Sequence, residues 1–298
     1  MSEDAAEVAQ KIAAGFPLDD EARAELLSTR DLISLGMAAD TVRRRRHGDR
    51  ATFVQVLKVP VVTHATLGPV PEQAREIRLT GLPETTAMAV EVVEALVDAG
   101  GGLPVTGFNL THLFELSGRD PDRLVQVLVS LREAGLGLVG EVCAEGALPA
   151  DTAFTVLREG GMSAARLTLG EATGDGALSL IRRIASWSDA GSVCRCLAPL
   201  PRSLSSPPTT GYGDLRQVAL ARLLVDNIES IQVDWSSYGP KLAQVALTFG
   251  ADDVDAVPAE GPDERGWRRS PGEEIRRNIT AAGFTPMPRD GCFEPVKS

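Results

Sequence analysis

The spacing of apolar residues changes character near position 50. Before it the period is helical. Residues 5–14 form a short amphipathic stretch. Asp19-Asp20-Glu21 can cap a helix over 21–28, and Thr29-Arg30-Asp31 opens a third, with Leu32, Leu35, Ala38, Ala39 and Val42 on one face. Residues 51–62 are then continuously apolar and rich in β-branched side chains, which predicts a strand buried on both faces. From there strand and helix patterns alternate. Strands are expected over 76–80, 105–108, 136–142, 165–169, 193–198, 230–233 and 253–257. Helices are expected over 85–99, 121–134, 151–159, 177–186, 215–226 and 240–249, with a last one near 273–282.

Eight strands, nearly all followed by helices, predict parallel pairing with covering helices. That is the pattern of a (β/α)8 TIM-type barrel, here a single domain over 51–298 with residues 1–50 as a helical extension packed on it. A doubly wound open sheet is the alternative, weakened because no GxGxxG follows the first strand. Only residues 63–75 separate the first two strands, and they include Pro69 and Pro71. Two prolines disfavour a helix there, so the first crossover helix is expected to be missing. The exposed flank is expected to be covered by the helices over 5–28 or by a second subunit.

Composition narrows the function classes. The 298 residues are 43% hydrophobic, enough for a large core. No apolar run approaches the ~20 residues of a membrane helix, and Met1-Ser2-Glu3-Asp4 does not read as a secretory signal. A cytoplasmic protein with no membrane partner is expected. A formal charge of −11 argues against nucleic acid. The run Arg43-Arg44-Arg45-Arg46-His47 reads instead as the last turn of a helix, where cations offset the dipole. The cysteines, Cys143, Cys194, Cys196 and Cys292, form no CxxC or Cys/His cluster, so no metal site is read from them.

In a barrel of this kind chemistry sits at the C-terminal strand ends. The polar residues read there are His64, Thr80, Asn109, Glu141, Glu171, Arg202, Asp234 and the acidic run Asp252-Asp253-Val254-Asp255. Glu141, Glu171 and Asp234 are the candidates for acid–base roles. The ligand-binding candidates are His64, Asn109, Glu141, Glu171, Arg202, Asp234, Asp253 and Asp255. Several carboxylates and an arginine could converge on a small polar molecule.

Specific strings then become informative. Tyr238-Gly239-Pro240-Lys241-Leu242-Ala243-Gln244-Val245-Ala246 through Asp253 resembles a segment of the radical SAM group that includes aminofutalosine synthase, dehypoxanthine futalosine cyclase and the deazaflavin-forming synthases, aminofutalosine synthase most of all. Glu76-Ile77-Arg78-Leu79-Thr80-Gly81, His112-Leu113-Phe114-Glu115-Leu116-Ser117-Gly118, Thr210-Gly211-Tyr212-Gly213-Asp214 and the ending Ala282-Gly283-Phe284-Thr285-Pro286 with Arg289-Asp290 are similar again, in the same order.

The resemblance implies a radical SAM-type barrel, and with it SAM and a [4Fe–4S] cluster held by CxxxCxxC after the first strand. Val62-Thr63-His64-Ala65-Thr66-Leu67-Gly68-Pro69 stands there instead, without a cysteine, and Gly81-Leu82 replaces a Gly-Gly that helps to hold SAM. Three thiolates are needed to ligate such a cluster and leave one iron for SAM. The expectation is therefore a cluster-less relative tied to the futalosine route to menaquinone. It would bind an aromatic carboxylate or a nucleoside, as an accessory or partner of an active paralogue, as a homodimer or heteromer. An enzyme of non-radical acid–base chemistry and a non-catalytic structural protein are the other readings.

Overall fold

The computed structural model describes residues 5–16, 19–62, 67–201, 210–259 and 270–296. The chain opens with three helices, α1 (Ala5–Ala14), α2 (Asp20–Ser28) and α3 (Leu32–His47). It continues through β1 (Arg50–Pro60), β2 (Glu76–Thr80), α4 (Thr86–Ala99), β3 (Val105–Asn109), α5 (Leu110–Leu116), α6 (Pro121–Glu133), β4 (Leu136–Cys143), α7 (Ala150–Glu159) and β5 (Ala164–Thr168). Then follow α8 (Gly174–Ala185), α9 (Ala190–Val193), β6 (Cys194–Ala198), α10 (Gly211–Leu224), β7 (Ser230–Asp234), α11 (Trp235–Leu247), β8 (Asp253–Pro258), α12 (Pro271–Ala281) and β9 (Thr285–Pro288). Each strand from β1 to β8 is parallel to the next, and β8 pairs back to β1, so the sheet closes into a TIM-type (β/α)8 barrel.

Local chemistry fixes the helix starts. Asp19, Asp31, Thr85, Asp120 and Ser270 each cap a helix by accepting a backbone N–H two or three residues on, and Pro121 and Pro271 occupy first-turn positions where no N–H is needed. The arginine run ends α3, as read, and one member does more than offset the dipole. Arg43 is fully buried, donates to the carbonyls of Ala251 (3.2 Å) and Gly48 (2.9 Å), and lies 3.8 Å from the centre of the Phe284 ring. Burial pulls its pKa down to about 10.

Among the described residues between β1 and β2 there is no helix. Val61 N–H donates to Thr80 O, and Arg75 N–H to Gln55 O, so the link stays close to the two strands. The helices over 5–28 do not cover this flank, which corrects one of the two expected coverings. α1 packs on α3 and α3 on α10, and neither α1 nor α2 takes the missing helix's place. α12 covers β1 instead, with Arg276 stacked 5.0 Å above Phe53 and Gly272 against Gln55. The turn that ends α4 packs on β2, where a Cβ at Gly100 would meet Ile77 Cδ1 at 2.6 Å.

Three elements exceed the sequence pattern, the first being α9, whose 4 residues are too few to show a period. α5 is only 7 residues long and follows β3 without a break, so helical periodicity has no room to show. β9 reads Thr-Pro-Met-Pro, and its prolines hide a strand because they cannot donate to a ladder. β1 has 11 residues, long enough to pair its lower half with β9 (Arg50↔Thr285 to Phe53↔Pro288) and its upper half with β2 (Val56↔Glu76 to Pro60↔Thr80).

Candidate functional site

Charged residues stand at the centres of several barrel strands. In strands walled by helices these side chains have only the interior to occupy. Arg78 lies midway along β2, Arg166 along β5 and Asp255 along β8, and all three are buried. Arg78 donates through Nε and Nη2 to Glu76 (2.7 and 2.8 Å) and through Nη1 and Nη2 to Asp255 (2.9 and 2.7 Å). Arg166 Nη2 is 3.3 Å from the same Asp255. Burial opposes the charge of Arg78, but Asp255 and Glu76 outweigh it and hold its pKa well above the ordinary value. Paired and hydrogen-bonded charges of this kind are the only ones a core tolerates.

Above this layer a cavity of about 620 Å³ opens at the C-terminal ends of β1 to β5. Lys58, Arg78 and Arg166 contribute cations to its lining, Glu141 and Glu171 carboxylates, and Asn109, Thr80 and Thr168 neutral polar groups. Asn109 caps α5 by accepting from Thr111 N–H (2.8 Å) and donates through Nδ2 to Glu141, so one side chain ties a helix start to the orientation of the carboxylate. Lys58 Nζ donates to Ser236 Oγ (3.3 Å), which donates to Ala256 O (2.7 Å).

Glycines let the wall strands pack closely. A Cβ at Gly107 would meet Leu79 Cβ at 2.5 Å, and one at Gly140 would meet Phe108 O at 2.8 Å. Two non-glycine residues here take left-handed backbone: Phe108 (φ 67°) on the lining and Ala256 (φ 56°), where two residues of β8 oppose one of β1. Each costs roughly 1–2 kcal/mol, and such strain clusters at functional sites.

The structure brings Asn109, Glu141 and Glu171 together on the cavity wall and sets Asp255 beneath them. Asp234 is not on the lining. It caps α11, accepting from Ser237 N–H at 2.7 Å. Asp253 is at the start of β8, at the opposite end of the barrel, bound by Arg289 (2.6 and 2.7 Å), Gln232 (2.8 Å) and Thr52 (2.6 Å). The acidic run therefore divides between the barrel ends, because β-strand geometry carries each residue ~3.3 Å along the axis. His64 and Arg202 lie outside the described residues. Lys58, Arg78 and Arg166 are the lining residues the sequence reading passed over. The signal was plainest for Arg166, a lone cation inside a mostly apolar strand.

A [4Fe–4S] cluster needs three converging thiolates, and the thiols do not supply them. Cys143 lines the cavity, Cys194 packs in the hydrophobic core outside the cavity, Cys196 donates to Ala165 O inside the barrel, and Cys292 sits against Gly137. Burial pushes Cys194 up to about 12 and Cys292 up to about 11, which favours the neutral thiol over the ligand form. Among the described residues no group of three or more His, Cys, Asp or Glu is placed to hold a metal ion. This donor set does not fit the cluster.

The fold matches solved (β/α)8 barrels. It matches methylornithine synthase (PylB) with a TM-score of 0.62 over 94% of this chain and 97% of that one, and the hydrogenase maturase HydG with 0.63 over 98% and 77%. At 16% identity each likeness concerns fold alone. Sequence carries the kinship further. Residues 203–297 match the CofH/MqnC C-terminal region. An aminodeoxyfutalosine synthase of Thermus thermophilus is 27% identical across 97% of this chain and 95% of its own length. A second, from Streptomyces coelicolor, is 35% identical over 94 residues. A 5-amino-6-(D-ribitylamino)uracil–L-tyrosine 4-hydroxyphenyl transferase of Methanosarcina barkeri is 37% identical over 95. These last two matches span 25% of the relative's length each. The chain is thus similar in sequence to aminodeoxyfutalosine synthases and to the 4-hydroxyphenyl transferases of the CofH/MqnC group. The Thermus alignment runs over 359 positions against the 298 residues of this chain, so that relative carries segments this chain lacks. Among the described residues no helix is long and apolar enough to cross a membrane.

Proposed function

We propose that this protein is a cluster-less relative of aminofutalosine synthase that binds a small aromatic carboxylate or nucleoside in the barrel mouth. It would serve the futalosine route in the cytoplasm as an accessory to an active paralogue. The observation that supports this most is the scatter of the four thiols combined with a retained polar cavity. Lys58 and Arg166 suit a carboxylate, since charge-assisted hydrogen bonds to cations are strong in a partly dry site. Glu141, steadied by Asn109, suits a hydroxyl or an amine on the same ligand.

The test is anaerobic purification with iron and sulfide analysis, followed by calorimetric titration with 3-hydroxybenzoate. The expected result is no stoichiometric iron and a saturable heat. Stoichiometric iron and sulfide would overturn the cluster-less reading, and absence of binding would overturn the carboxylate site.

A second reading, acid–base catalysis without a cluster, is favoured by the fixed Glu141 beside Arg166, its register neighbour across β4 and β5. Under it, Glu141→Gln would abolish turnover while leaving ligand affinity within about threefold.

A further inference from the structure

The ion pairs inside the barrel form two layers. The upper one joins Glu76, Arg78, Asp255 and Arg166 under the cavity. The lower one is Arg289 on Asp253. Together they hold three cations and three carboxylates, all buried. The lower layer is supplied by the segment 285–296, which enters as β9 beside the lower half of β1.

That segment touches both layers. Arg289 closes a two-bonded pair with Asp253. Two residues on, Gly291 N–H donates to Arg75 O (3.1 Å), and a Cβ at Gly291 would meet Glu76 Cγ at 2.6 Å. Glu76 is the carboxylate that grips Arg78 from below. The layers also share a neighbour: the Cys196 thiol, fully buried, is raised by burial first and then feels Asp253, Arg166, Arg289 and Asp255.

We propose that the 285–296 segment sets the anion preference of the cavity from below, with Arg289 as a positioning residue that keeps Asp255 and Glu76 committed to Arg78 and Arg166. This rests on the carboxylate reading of the cavity. With Arg289 in place, Asp253 is satisfied by Arg289, Gln232 and Thr52. Without it, a buried carboxylate stands uncompensated in the same interior as Arg166. In a low-dielectric core that charge is poorly screened. It draws on the cations of the upper layer and lowers the potential that an incoming carboxylate meets.

The experiment compares 3-hydroxybenzoate with its uncharged amide, 3-hydroxybenzamide, by calorimetry on the full chain. Arg289→Gln is expected to lower the preference for the carboxylate over the amide by about tenfold. The neutralised pair Asp253→Asn with Arg289→Gln is expected to return the preference to within about threefold of the parent, and Arg289→Lys to keep it there. A purely structural role would change the fraction of competent protein, and hence the stoichiometry, without moving the ratio. If Arg289→Gln does not fold, the neutralised pair and Gly291→Ala, which presses on Glu76, carry the test; Gly291→Ala is then expected to lower the ratio. A parent that binds the carboxylate while Arg289→Gln or, failing it, Gly291→Ala keeps the same ratio would overturn this proposal alone. A neutralised pair that stays impaired would do the same. A parent that binds neither probe would remove the cavity reading and this proposal with it.

Discussion

Replacing Asp255 by asparagine strips one carboxylate from beneath two guanidiniums. The loss is the bidentate contact with Arg78, at 2.9 and 2.7 Å, and the 3.3 Å pair with Arg166. Asparagine keeps one acceptor and turns an N–H donor toward groups that only donate. Glu76 is then the carboxylate left bonded to Arg78, and Arg166 loses its pair with Asp255. Breaking a buried pair by removing one partner costs about 3–5 kcal/mol. Unfolding entropy near 2.1 cal/mol/K per residue gives a chain of 298 residues about 0.6 kcal/mol/K, so the midpoint should fall by roughly 5–8 °C. The assay is a calorimetric melt beside the parent, with far-ultraviolet dichroism to check the fold. A folded variant melting within about 2 °C of the parent would show that the charge layer contributes little, and that water or a shifted proton takes the role of Asp255.

Other outcomes are as definite. Gly107→Ala puts a methyl 2.5 Å from Leu79 Cβ and should destabilise by about 1–3 kcal/mol, read as a lower urea midpoint at unchanged slope. Asn109→Ala removes the α5 cap and should cost about 1 kcal/mol, with faster amide exchange at Thr111. Burial raises the Cys194 thiol from 9.0 to about 12, so its neutral form is favoured in the fold. The stability it gives is full below pH 9 and lost as pH rises toward 12. The melting point should therefore fall across that window, and Cys194→Ala should flatten the fall.

Much of the fold was legible because parallel strands and their helices write different periods into the chain. The continuous apolar run that became β1 and the stretch that became α4 needed no tertiary knowledge. The proline-bearing link after β1 also announced that no helix stands among its described residues. The covering of that flank was not legible, since the helix that performs it, α12, lies some 200 positions away in sequence. The site was half legible. Asn109, Glu141 and Glu171 follow from strand-end placement. Asp253 was misplaced because one strand start and one strand end look alike in a run of acids. Lys58 and Arg166 were missed because a cation within an apolar strand has meaning only once the barrel gives it an inside.

The pairing of β9 with β1 also bears on how the chain folds. Thr285 N–H donates to Asp49 O, and its hydroxyl to the Asp49 carboxylate 236 positions earlier. The barrel floor is thus among the longest loop closures the chain makes, and such contacts form late because the entropy is spent before the reward arrives. During synthesis, everything up to β8 can be present while Asp253 still lacks its cation. Assembly intermediates of this barrel should therefore present a polar, unclosed lower end, and slow refolding should track the docking of the 285–296 segment.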